Sequence, residues 1–331
     1  MFKGLGGAAM TKRVAALVAI CAVALSTSFF TLIHSDHKNL TGTLIYHRYS
    51  DYGSWDATMW TIDMASGEQN QVNKNWTGMI SPINAHFSAD GHSITFMGSN
   101  AGLIKNDWDV FTSHWNGTMW QEPINLTGPN GARDEDPKFS PDGSKIAYKQ
   151  DGVLVTMNAD GSNKTYLTKG KPESSMPYFA PNGKDLLFER SGDIYLLSNG
   201  TERKMYAGAG QSSYYPIGLD EKSFLYTRVQ NSHHDAIMRG FYDDSPSFRY
   251  FFDSNDWDTS DSFPYEDGSR FIFYVTGDVL MPHGGYNLAL ADLKRKKRWD
   301  IDKWFAGKRT TDINSDLQEL GPAWSPVVLN P

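Results

Sequence analysis

Residues Asp134–Gly143 read Asp-Glu-Asp-Pro-Lys-Phe-Ser-Pro-Asp-Gly, and the rest of the chain becomes legible from them. The first three are acidic. Pro137-Lys138-Phe139 suits a short strand. Ser-Pro-Asp-Gly suits a turn, because Pro presets φ and Gly takes positive φ without strain. Lys145–Lys149 follow as Lys-Ile-Ala-Tyr-Lys, an alternation that predicts a second strand. One strand–turn–strand unit would say little, but this one recurs.

Copies stand at Ala85–Gly91 (Ala-His-Phe-Ser-Ala-Asp-Gly), Pro177–Gly183 (Pro-Tyr-Phe-Ala-Pro-Asn-Gly) and Phe263–Gly268 (Phe-Pro-Tyr-Glu-Asp-Gly). Pro322–Pro326 (Pro-Ala-Trp-Ser-Pro) is another, and Pro216–Glu221 is a degraded one. A period of about 40–50 residues predicts a propeller with four strands to a blade. After each turn comes an apolar strand, such as Ser93–Met97 or Arg270–Tyr274, then a third strand, then a shorter polar fourth. A polar outermost strand is expected where sheets pack face to face around an axis and their outer edges meet water. Residues 43–73 supply a second, third and fourth strand without a first. Pro322–Pro326 supply a first strand with nothing after it. The expected fold is therefore all-β: a six-bladed β-propeller over residues 41–327, its ring closed by pairing N-terminal strands with a C-terminal strand. Ten Trp, sixteen Tyr and eighteen Phe agree with a strand-rich chain. The irregular stretch 301–326 is a candidate cover for one face.

Pro-x-Phe-Ser-Pro-Asp-Gly, an apolar strand, Met157-Asn-Ala-Asp-Gly-Ser-Asn163 and Tyr166-Leu-Thr168 together resemble the TolB-type, WD-like propeller repeat. The match is densest over 133–168, is echoed in Trp120–Thr127 and thins over 210–330. The chain leaves no room for the α/β domain that precedes the propeller in TolB, so the resemblance is to the propeller superfamily. It implies that the segment before each first strand lies nearest the axis, at one mouth of the channel.

The first 38 residues differ in kind. Lys3, Lys12 and Arg13 precede an uncharged run, residues 14–33. This is the pattern of a secretory signal peptide, and the run is also long enough to span a bilayer as a membrane anchor. In both cases the preceding cations place the body outside the cytoplasm: secreted, periplasmic or on the cell surface. Cys21, the single cysteine, lies within the run, so the propeller has no disulfide. The chain carries a net charge of −7. This acidic balance argues against a nucleic-acid partner.

Residues expected at the mouth are His86, the acids Asp134, Glu135 and Asp136, Tyr215, Asp258, Asp261 and Glu319. This set suits a protein or glycan partner. Asp134, Asp136, Asp258 and Asp261 are candidate ligands for Ca²⁺, which takes six to eight oxygens. The same residue types also cap turns by bonding backbone N–H groups. The tetrapeptide Asn-Asp-Trp-Asp occurs at 106–109 and again at 255–258, an arrangement in which carboxylates flank a stacking ring. His233-His234-Asp235, with His86, His114, Tyr214, Tyr215 or Arg228, suggests an alternative: a polysaccharide lyase on uronate-containing glycans, which needs a base and a group to neutralise the uronate. The chain has no nucleophile elbow, phosphate loop or dinucleotide fingerprint. Lys294–Arg298 is a basic run at a turn between strands, where a charge run is usually solvated. Asn39, Asn75, Asn116, Asn125, Asn163 and Asn199 begin Asn-x-Thr glycosylation sequons. The expected function is partner binding at an acidic channel mouth, with no catalytic residue assigned.

Overall fold

In a computed structural model of the chain, the residues described are 40–102, 107–206, 211–231, 234–243, 245–251, 258–266, 268, 270–277, 285–308 and 312–329. The stretch read as signal or anchor, residues 1–38, lies outside them, as does the sequon at Asn39. No helix among the described residues is long and apolar enough to cross a membrane.

Six four-stranded antiparallel sheets form the six blades. Blades 2 to 6 each take four consecutive strands, beginning with innermost strands Met79–Phe87, Asp134–Phe139, Ser175–Phe179, Ser213–Asp220 and Asp258–Pro264. Blade 1 is composite. Its innermost strand, Gln318–Ser325, pairs antiparallel with Thr43–Tyr49, which is followed by Thr58–Asp63 and Gln69–Gln71. The innermost strands pack against one another in a closed cycle around the axis. Six blades, their order and the closure by a C-terminal strand match the sequence reading.

The second strand of each blade puts one aromatic side chain at the same register. These are Tyr46, Phe96, Tyr148, Phe188, Tyr226 and Tyr274, all fully buried. Aromatic rings fill the wedge between neighbouring blades better than aliphatic groups and bury the largest area. The turns repeat as closely as the core. In blade 3 the Ser140 hydroxyl donates to Asp142 Oδ1 at 2.6 Å, which also accepts the Ser144 N–H at 3.0 Å. In blade 2 Ser88 donates to Asp90 at 2.6 Å, and the His92 N–H at 3.0 Å completes the same turn.

The stretch after blade 6 begins with one helical turn, Ile301–Trp304, and residues 312–314 help fasten blade 6 to blade 1. Arg48 donates to the Ile313 carbonyl at 2.7 Å, and the Asn314 side chain bonds Leu288 from both sides.

Candidate functional site: the channel mouth

Each innermost strand is interrupted by a bulge at one repeat position. Register shifts occur at Ile83/His86, Glu135/Lys138, Ser175/Tyr178, Tyr214/Ile217 and Ser260/Phe263, and opposite Ile45/His47 in blade 1. The bulged residue has left-handed backbone in all six blades: Asn84, Asp136, Met176, Tyr215, Asp261 and Gly321. Bulges re-aim side chains out of a strand's normal alternation. Here the interactions of Asn84, Asp136, Tyr215 and Asp261 meet across blades. Asn84 donates to Asp136 Oδ1 at 2.9 Å. The Asp261 carboxyl is pushed up to about 7, first by burial and then by Asp136. Tyr215 is driven well upward by burial and then by Asp261 and Asp136.

Two residues along each strand, the chain places His86, Lys138 and Tyr178. His86 is fully engaged: one ring nitrogen accepts the Phe139 N–H at 3.2 Å and the other meets the Tyr178 hydroxyl at 3.3 Å. Burial and then Lys138 drive His86 down to about 3, so the ring is neutral at ordinary pH. Lys138 is buried, and burial lowers its pKa although Asp136 and Asp261 pull the other way. Among Asp136, Lys138, Tyr178 and Tyr215 the space left is about 10 Å³, room for a water and no more.

The six acids expected to converge do not. Asp136 and Asp261 face the axis, while the others are claimed by separate neighbours. Asp134 accepts Asn130 at 3.0 Å and Gln150 at 2.7 Å. Glu135, only 5% exposed, pairs with Arg133 at 2.9 Å and with Lys149, which also holds Glu173 at 2.9 Å. Asp258 accepts the Tyr286 hydroxyl at 3.0 Å. Glu319 accepts Ser315 at 2.5 Å and lies 3.5 Å from Arg48. A buried carboxylate needs partners of its own, and side chains of successive strand residues leave on opposite faces. The four candidate Ca²⁺ ligands therefore do not form one oxygen cage. No three His, Cys, Asp or Glu among the described residues are gathered as a metal site requires.

Trp108, the centre of the first Asn-Asp-Trp-Asp, is not an open stacking platform. It is buried and stacked on Trp55 with centroids 4.4 Å apart. Asp109 turns inward to Asn125 at 2.7 Å and is pushed up to about 6 by burial. Most of the second copy, residues 255–257, lies outside the described residues, as does His233. Asp235 accepts the Tyr214 hydroxyl. Of the sequon asparagines, Asn75, Asn116, Asn163 and Asn199 are exposed. Asn125 is half-buried and commits its amide to Asp109, so a glycan there would break that bond.

The mouth also has an aromatic wall that the sequence reading did not assign. It comes from the loop 49–56 of blade 1, Tyr-Ser-Asp-Tyr-Gly-Ser-Trp-Asp. Tyr49 stacks on His47, and Tyr52 packs edge-on against Tyr49 and tilts over Trp108. Tyr52 is 53% exposed. Its hydroxyl is raised first by burial and then by the fields of Glu135 and Asp136, against Lys149 and Arg133. The signal was present as three aromatics within seven residues of a loop. Lys138 was also readable, since it occupies the repeat position of His86.

No protein-family model matches the chain, and no curated protein sequence matches it. Solved structures do. TolB from Acinetobacter baumannii superposes with a TM-score of 0.63 at 14% identity, over 87% of this chain and 67% of that one. A protein of Agrobacterium tumefaciens assigned as a TolB gives 0.57 at 16% identity, over 78% of this chain and 88% of its own. Oligogalacturonate lyase from Vibrio parahaemolyticus gives 0.53 at 12% identity, over 78% of each chain. At these identities the likeness is one of fold: the chain is a six-bladed β-propeller similar in fold to these structures. Such folds host unrelated activities, so function has to be argued from the site.

Proposed function

We propose that this propeller is a non-catalytic binding module of an extracytoplasmic compartment, and that it docks a protein partner on the mouth formed by Tyr49, Tyr52, Trp55 and the Arg133–Glu135–Lys149–Glu173 ion cluster. The carrying observation is an exposed Tyr52 backed by Tyr49 and Trp108, on the same mouth as an ordered charged network. Tyr, Trp and Arg are the residues that most often anchor protein interfaces, and charged groups around them fix orientation. The extracytoplasmic setting rests on the basic-then-apolar pattern of residues 1–33. A glycan on the same aromatic wall is the competing occupant.

The lyase reading requires a base that reaches substrate. Both ring nitrogens of His86 are engaged, by the Phe139 N–H and the Tyr178 hydroxyl, and a pKa driven down to about 3 makes it a weak base. Purified protein should capture a partner from extracytoplasmic extract, and Tyr52→Ala or Arg133→Gln should abolish capture while circular dichroism shows the fold intact. An ultraviolet absorbance rise on incubation with acidic polysaccharides would report unsaturated lyase products and would overturn the binding reading. Capture unaffected by both substitutions would move the interface elsewhere.

A further inference from the structure

A second surface lies on the rim of the ring. Between the outermost strands of blades 5 and 6, Phe248–Phe251 and Lys297–Asp300, runs an open cleft of about 410 Å³. Its walls carry four cations, Arg249, Lys296, Lys297 and Arg298, and no acid. This is unusual for a chain with net charge −7. Several cations elsewhere are tied to carboxylates: Arg190 to Glu202, Lys204 to Asp193, Arg239 to Asp220 and Arg270 to Asp292. Lys296 and Lys297 form no ion pair with the described residues and are exposed.

The basic turn is built rather than loose. Asp292, 1% exposed, accepts Arg270 at 2.9 Å and the Arg295 N–H at 3.0 Å, closing the hairpin whose apex Lys296 has a φ of 53°. The floor of the cleft is apolar, formed by Tyr250, Phe251 and Leu293. A free inorganic anion would have no use for such a floor. The strand Phe248–Phe251 ends its sheet, and a sheet's last strand turns one row of backbone N–H and C=O groups outward, able to accept another strand.

We propose that this inter-blade cleft binds an extended acidic peptide segment of a partner protein, laid alongside the outermost strand of blade 5. In an extended peptide alternate side chains face opposite ways, spaced about 7 Å apart on each side. Acidic residues at every second position meet Lys296 and Lys297, Arg249 and Arg298 add to the positive field of the cleft, and the residues between them rest on Tyr250, Phe251 and Leu293. The mode is strand addition, with charge setting specificity and the on-rate. It is independent of the mouth.

The test is fluorescence anisotropy on the full chain with a labelled peptide of alternating Glu and Val, against its Lys and Val counterpart. The acidic peptide should bind saturably and lose affinity as salt rises. The paired reversal Lys296→Glu with Lys297→Glu should weaken it by about tenfold or more. Lys296→Arg with Lys297→Arg should retain binding, and Tyr52→Ala should leave it unchanged. If the reversal fails to fold, Lys297→Gln alone should still weaken the complex. Absence of binding, equal binding by the reversed variant, or loss of binding in Tyr52→Ala would each overturn the proposal. So would binding of a sulfated polysaccharide or phosphatidylserine vesicles through Lys296 and Lys297 where the peptide does not bind.

Discussion

Lys149 holds two glutamates at once, and one of them is almost wholly removed from water. Replacing it by Met leaves Glu135 with the half-exposed Arg133 alone. Removing one partner of a buried pair is costly, so Lys149→Met should lower unfolding free energy by about 2 kcal/mol. Glu135→Gln combined with Lys149→Met should lower it by less than the two single changes summed, as read from urea unfolding. Acidity gives a second handle at this scale. Asp261 and Glu319 are both pushed up to about 7, chiefly by burial, so each holds a proton in the folded chain that it releases on unfolding. Their contribution is present below the ordinary carboxylate range and is lost as pH rises through about 7. His47 and His86, driven down to about 3 by burial and then Lys138, act in the opposite sense. The unfolded chain takes up their protons below about 6.5, so their contribution is lost as pH falls from there. Between about pH 4.5 and 6.5, Asp261→Asn should make stability rise more steeply with pH than in the parent chain, by roughly 1.4 kcal/mol per unit. His86→Gln should make it rise less steeply. Parallel pH profiles for the parent and both variants would show that these groups titrate normally.

At the scale of elements, the innermost strands divide into a part that could be read and a part that could not. Pro-x-Phe-Ser-Pro-Asp-Gly announces a strand and its turn because both are fixed by local backbone preferences, and these recur with the same residues. The bulge four residues before the turn has no such mark. Its occupants are Asn84, Asp136, Met176, Tyr215, Asp261 and Gly321, six positions with little chemistry in common, united only by positive φ. The sequence therefore placed Asp134, Glu135 and Asp136 together at the mouth, while the bulge sends Asp136 to the axis and leaves Asp134 and Glu135 to partners between blades. The aromatic wall was obscure for a related reason: a loop's side chains acquire meaning only from the neighbours that the closed ring supplies. Gly321 tests the bulge directly. A Cβ there would lie 2.8 Å from the His47 ring, on a backbone with φ of 61°. Gly321→Ala should destabilise the protein by about 1–3 kcal/mol, the usual range for strained backbone. Asn84→Gly, at the matching position of the next blade, should relieve strain but lose the bond to Asp136. Its melting temperature should fall far less.

The molecule as a whole is held by a cycle of six sheets. Asp134 and Asp258 are satisfied by Asn130, Gln150 and Tyr286. Calcium and a chelator should therefore give the same melting temperature. A calcium-dependent rise lost in Asp134→Asn with Asp258→Asn would restore the cation site to the mouth.

The cycle also has a seam. Gln318–Ser325 is the innermost strand of blade 1, yet it leaves the ribosome after every other strand of the ring. Until it arrives, Thr43–Tyr49 has an unoccupied edge and the axis has a gap one strand wide. Cooperative closure of the ring thus waits until residues 318–325 have been made. Ribosome-stalled chains ending before residue 318 should remain protease-sensitive, and those extended past residue 329 with a linker clearing the exit tunnel should become resistant in a single step.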